Sequence, residues 1–158
     1  MDKFVGYMNF TMKHFLNIIM AVLSCAVFAQ VLFRFVFKLP LAWSEELAVY
    51  CLVWITFLGA AYALSLKAHI GVDFFVERFP TSMKKFFLIL AAIASFSFYI
   101  ILIVQGFDLV QQSLKQLSPV MRIPMGWIYS VIPISGFFLI INLIHLLAKD
   151  LKTGGKTA

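Results

Sequence analysis

Charged side chains are scarce in this sequence. Only 13% of its 158 residues are Asp, Glu, Lys or Arg, whereas 63% are hydrophobic. A soluble domain carries roughly a quarter charged residues and about half apolar ones, so a soluble fold is excluded and an integral membrane protein is expected. No ionisable residue falls in the middle of a long apolar run, the position from which a carboxylate couples protons or ions to transport. Exporters that rely on a central glutamate are therefore disfavoured. Cysteine is limited to Cys25 and Cys51, both inside apolar runs, so both read as small packing residues and not as a disulfide pair. Histidine is limited to His14, His69 and His145, and no spacing around them outlines a metal site. No nucleophile–base pair is recognisable, which points away from an enzyme. The net charge of +6 comes without a stripe of alternating basic and aromatic residues, which argues against nucleic acid.

What remains is hydrocarbon. Mean hydropathy is +0.97, and four apolar runs reach the ~18–20 residues that cross a bilayer of ~30 Å. They are Phe15–Phe33, Leu47–Leu66, Phe86–Val104 and Trp127–Leu147. The fold expected is all-α integral membrane, a single domain over residues 1–158. Its helices are expected at about 11–37, 43–66, 82–117 and 124–148, packed around a core of their own side chains. The N-terminal run continues about ten residues past Cys25, longer than the apolar core of a signal peptide, so it reads as an uncleaved first helix.

Basic residues orient the chain. With the N-terminus inside, nine of them (Lys3, Lys13, Lys67, Arg78, Lys84, Lys85, Lys149, Lys152, Lys156) fall on the inner side. Four (Arg34, Lys38, Lys115, Arg122) fall outside. Both termini are thus expected in the cytoplasm. The connection between helices 2 and 3 has apolar residues at 72, 75, 76 and 79, with Asp73, Glu77 and Arg78 between them. That spacing predicts a short amphipathic helix over about 71–79 on the inner surface. Helix 3 is expected to protrude outward to about Leu117, before Ser118-Pro119, and helix 4 to bend at Pro133.

The outer corner Pro40-Leu41-Ala42-Trp43-Ser44-Glu45-Glu46 sets two adjacent carboxylates at the mouth of helix 2. Ser44 is expected to cap that helix, Glu45 and Glu46 to complement its positive end, and Trp43 to sit at headgroup level. The corner has an echo. Lys38-Leu39-Pro40-Leu41-Ala42-Trp43 and Arg122-Ile123-Pro124-Met125-Gly126-Trp127 share the order basic, apolar, Pro, apolar, small, Trp. Two readings stand: a generic start for any inward-going helix, or a duplicated helical hairpin. Only the first copy carries glutamates.

Several segments together resemble the small membrane (Q-type) subunit of tripartite ATP-independent periplasmic (TRAP) transporters. They are Arg34-Phe35-Val36-Phe37, Leu41–Ala48, Phe57–Leu64, His69-Ile70-Gly71-Val72-Asp73 and the Gly126-Trp127-Ile128-Tyr129 start followed by Pro133. The likeness covers most of residues 30–136. It implies a bacterial inner-membrane subunit of a sodium-driven transporter for organic anions. In that family a periplasmic binding protein captures the anion and a large multi-helix subunit moves it. The small subunit scaffolds the large one and presents a docking surface. The resemblance puts the sodium and substrate sites in the other subunits, so no cofactor is expected in this chain. Dicarboxylates and sialic acid both fit, with a slight lean to sialic acid from the unfused arrangement expected here.

The resemblance carries over to particular residues. Arg34 is expected to pair with Glu45, Glu46 or Asp108, or else to reach phospholipid headgroups. Glu45 and Glu46 match an acidic pair, one facing a partner protein, and Trp43 and Trp127 flank the two outer corners. Asp73 and Arg78 match an inner segment that forms a local ion pair or touches the large subunit. Two other classes compete: a haem- or quinone-associated anchor using His14 and His145, and a stand-alone oligomeric carrier.

Overall fold

In lipid every backbone N–H and C=O must be satisfied within the chain, so apolar runs of this length fold as helices. The computed structural model of the protein describes residues 2–39, 41–66 and 81–152. They form α1 (Asp2–Phe35), α2 (Ala42–Ser65), α3 (Thr81–Ser113), α4 (Met125–Tyr129) and α5 (Val131–Lys152). Four segments are long and apolar enough to span a membrane: Lys3–Phe35, Ala42–Ser65, Ile89–Ser113 and Met125–Ala148. The amphipathic helix expected at 71–79 lies outside the described residues.

Three boundaries differ from expectation, each for a local reason. Helix α1 starts at Asp2, not near Thr11, because Val5, Asn9, Met12 and Leu16 form one inward stripe that continues the helix; Val5 and Met12 are buried. Helix α3 stops at Ser113, not Leu117, because the next residues are taken up by a bonded loop. The fourth span breaks at Ser130, ahead of Pro133. Proline has no N–H, and its ring clashes with the carbonyl four residues earlier, so the discontinuity falls before the proline.

The helices stand in a row and do not close into a ring. Helix α1 packs on α2, α2 on α5, and α5 with α4 on α3, with a lesser contact of α1 to α5; among the described residues α3 meets neither α1 nor α2. Burial follows that order. Of the apolar windows, 39% is buried in the fourth span and 28% in α2, against 11% in α3 and 6% in α1. The core is accordingly centred on α2 and α5, through Leu58, Ala61, Leu64, Val131, Leu139 and Leu143, with Met12 and Tyr99 added from the flanks.

Glycine sets the spacing of α3 against the fourth span. A Cβ at Gly106 would lie 2.9 Å from Pro133 Cδ and 3.0 Å from its nitrogen, and one at Gly126 would lie 2.9 Å from the Val110 carbonyl oxygen. Hydrocarbon solvent gives apolar side chains little reason to associate, so backbone proximity of this kind holds membrane helices together. At the end of the molecule away from the corners, a polar tie joins three helices. Asn9 and Asn142 exchange amide hydrogen bonds of 3.0 and 3.2 Å, and Asn142 Nδ2 also donates to the Ala61 carbonyl at 2.9 Å.

The two corner motifs share more than residue types. Among the described residues, Lys38 (φ 55°) and Arg122 (φ 56°) are the non-glycine residues with positive φ, and they are the first residues of the two echoed motifs. A generic helix start accounts for a basic residue, a proline and a tryptophan. It does not call for a left-handed basic residue, whereas a duplicated hairpin carries one in both copies.

Two expected outcomes follow from this packing. Gly106→Ala and Gly126→Ala each lower stability by about 1–3 kcal/mol. Gly59→Ala, where a Cβ meets nothing within 4 Å, is neutral or stabilising by up to ~1 kcal/mol; thermal melts in one detergent compare them. Asn142→Leu lowers stability by about 1–2 kcal/mol, and adding Asn9→Leu costs less than it does alone because its amide partner has already gone.

Candidate functional site at the corner end

The α1–α2 corner and the loop after α3 lie at one end of the molecule, joined by a single carboxylate. That loop is a hairpin. Ser118 N–H donates to the Ile123 carbonyl at 2.9 Å, Met125 N–H to the Gln116 carbonyl at 2.8 Å, and Leu117 and Pro124 form an isolated antiparallel bridge. Its tip, residues 119–122, turns through the left-handed Arg122. The tip amides of Val120 and Met121 point at α2, where Glu46 Oε2 accepts them at 3.0 and 2.8 Å. Glu46 Oε1 accepts the Tyr50 hydroxyl one turn along the same helix. The Ser118 hydroxyl oxygen, from a buried side chain, accepts Ile123 N–H at 3.1 Å within the hairpin. Hydrogen bonds to an ionised acceptor are roughly twice as strong as neutral ones. One side chain of α2 thereby holds a loop 74 and 75 residues further along the chain.

The Ser44 side chain does not cap α2. The N-cap is Leu41 and makes no side-chain capping bond. Ser44 Oγ instead donates back to the Leu41 carbonyl at 2.7 Å and is fully buried. Because the helix begins at Ala42, Ser44 falls inside its first turn and faces the bundle.

Arg34 and Glu45 line a cleft of about 110 Å³ between the end of α1 and the start of α2, with Gln30, Leu41 and Ala42 completing the lining. Among the described residues no ion pair joins Arg34 to Glu45, Glu46 or Asp108. Asp108 is exposed on α3. Trp43 and Trp127 are both exposed, at 45% and 69%, near the starts of α2 and α4. Asp73 and Arg78 lie outside the described residues. His14 is exposed and packs edge-on against Phe10 at 4.3 Å. The structure thus brings Arg34 and Glu45 to one cleft and gives Glu46 a different job beside it.

Sequence reasoning missed Tyr50, Ser118 and the amides of Val120 and Met121. Tyr50 was findable, since it stands four residues after Glu46 on one helix face. The hairpin was not: its bridged arms are too short to show an alternating pattern. Asn9 and Asn142 were also missed, although an amide within an apolar run is itself a signal of helix contact.

Comparison with known proteins adds a family. The profile of the family described as "Tripartite ATP-independent periplasmic transporters, DctQ component" matches residues 23–153. The C4-dicarboxylate TRAP transporter small permease protein DctQ of Rhodobacter capsulatus is 27% identical over 133 residues, 83% of this chain and 59% of that protein. The sialic acid TRAP transporter permease protein SiaT of Haemophilus influenzae strain 86-028NP is 28% identical over 126 residues, 80% of this chain and 20% of that longer protein. The sialic acid TRAP transporter small permease protein SiaQ of Vibrio cholerae is 23% identical over 134 residues, 85% of this chain and 78% of that protein. The chain therefore spans about three-fifths of the first relative and one-fifth of the second.

A double-mutant cycle reads the carboxylate's role in this site. Glu46→Ala lowers the thermal midpoint by several degrees, and Tyr50→Phe by less. Combined, they fall short of the sum because both remove the same hydrogen bond. Additive shifts would show that the two side chains act separately.

Proposed function

The chain belongs to the DctQ-component family of tripartite ATP-independent periplasmic (TRAP) transporters, and from that membership we propose that it is the non-catalytic small subunit of a sodium-driven uptake system for organic carboxylates. Family and four apolar spans make it a multi-pass inner-membrane protein. On the proposed topology the termini are cytoplasmic and the corner end is periplasmic, as the nine-to-four split of basic residues favours.

Its partners on this reading are a large permease subunit and a periplasmic binding protein. Support for the first comes from SiaT, where the matched region is one-fifth of a longer permease; the remainder is taken to correspond to the large subunit. The row of helices supports it too. Exposed apolar side chains on α1, α2 and α3, Phe28, Val49, Leu52 and Ile101 among them, suit contact with lipid and with a membrane protein. Substrate and sodium sites are assigned to the large subunit and none to this chain. Relatives named for C4-dicarboxylate and for sialic acid support a carboxylate cargo, with sialic acid the narrower assignment.

The single observation that carries the docking role is the Glu46 bond to the hairpin tip. It fixes a loop in place, and a partner that docks on a fixed loop loses less conformational entropy than one that must order it. The test is charge reversal, Glu45→Lys with Glu46→Lys, followed by co-purification with the large subunit and an uptake assay. Uptake is expected to fall roughly tenfold while the large subunit still co-purifies. Unchanged assembly with unchanged uptake would remove the docking role.

A further inference from the structure

The α1–α2 corner holds charges of both signs that make no ion pair among the described residues. Arg34 from α1 and Glu45 from α2 both line the cleft and are both exposed, and the half-buried Gln30 lies one turn before Arg34. Below the cleft the same helix faces continue as exposed apolar stripes: Val27 and Val31 lead down from Arg34 on α1, and Val49 and Leu52 lead down from Glu45 on α2, all more than 40% exposed. Trp43, half-exposed at the start of α2, marks headgroup depth. A polar cleft of two signs at a membrane boundary, opening onto apolar tracks, has the outline of a lipid.

We propose that this cleft is a headgroup site for a lipid bearing both a phosphate and a primary ammonium group, phosphatidylethanolamine by chemical class. Arg34 takes the phosphate, for which its planar fork of donors is matched. Glu45 takes the ammonium. Gln30 offers its amide to the ester region, and the acyl chains follow the two stripes. The carboxylate selects the class. An anionic headgroup satisfies Arg34 but sets its negative charge beside Glu45 with nothing to offset the repulsion. A quaternary ammonium brings the positive charge but no N–H to donate. This site rests on the corner lying at a membrane boundary, as the spans beneath it require, and not on its facing the periplasm or on the transport role.

Reconstitution of the full chain in phosphatidylcholine nanodiscs tests it, with equal minor amounts of phosphatidylethanolamine and phosphatidylglycerol. Mild detergent extraction and native mass spectrometry then count the lipid retained. Wild type is expected to retain phosphatidylethanolamine roughly threefold over phosphatidylglycerol, the scale of one exposed charge contact. Glu45→Gln abolishes or reverses that preference, Arg34→Gln lowers retention of both lipids, and N,N-dimethylation of the headgroup weakens it in wild type. Neither variant removes an intramolecular bond of the described structure, so thermal midpoints stay near wild type. The site is overturned if wild type shows no headgroup preference, if the preference survives in Glu45→Gln, or if Arg34→Gln leaves retention of both lipids unchanged. Lost uptake in the charge-reversed chain with no headgroup preference in wild type would sink the lipid site alone. Selective lipid retention with normal uptake would sink the docking role alone.

Discussion

The hairpin between α3 and α4 has two tip amides, on Val120 and Met121, that neither a helix nor a ladder satisfies; a carboxylate from α2 supplies what they lack. Everything at the corner end depends on that substitution. The loop leaves its apolar side chains Leu114, Leu117 and Val120 exposed and so buries little of them. Its position relative to the flanking helices is set by the bonds that cross to them. Glu46 makes those bonds with one oxygen and is itself oriented through the other by Tyr50, so the side chain is held from both ends.

The same economy governs the rest of the fold. A row of four spans buries little of its two outer members, so packing alone specifies their positions weakly. Specific contacts compensate at three levels. The carboxylate holds the corner end, the Gly106 and Gly126 approaches hold α3 to the fourth span, and the Asn9–Asn142 pair holds α1, α2 and α5 at the far end. Each uses backbone groups or small residues, the means available where lipid competes for every apolar side chain. What this leaves exposed is much apolar surface, most of all on the outer helices α1 and α3.

Much of this was legible in the sequence, and the limits have physical causes. The four spans follow from apolar run length, and the family likeness from the order of short motifs. The echoed corners were visible as residue types, but the shared left-handed backbone at Lys38 and Arg122 was not, because neither residue is glycine and nothing local announces positive φ. Glu46 could be singled out as an acid at a helix mouth. Its partner could not, since backbone amides carry no residue signature and these lie more than seventy positions away. Treating Glu45 and Glu46 as one acidic pair was the natural reading of adjacent letters. On a helix, adjacent residues point about 100° apart, and here Glu46 bonds to the hairpin while Glu45 lines a cleft with Arg34.

The most direct measurement of the central claim is amide hydrogen exchange at Val120 and Met121 in wild type and in Glu46→Gln, with the Ser118 amide, bonded to the Ile123 carbonyl, as an internal reference. If the carboxylate holds the hairpin tip, exchange at Val120 and Met121 accelerates roughly tenfold in the variant while Ser118 changes much less. Equal exchange at the two tip amides in both proteins would contradict it.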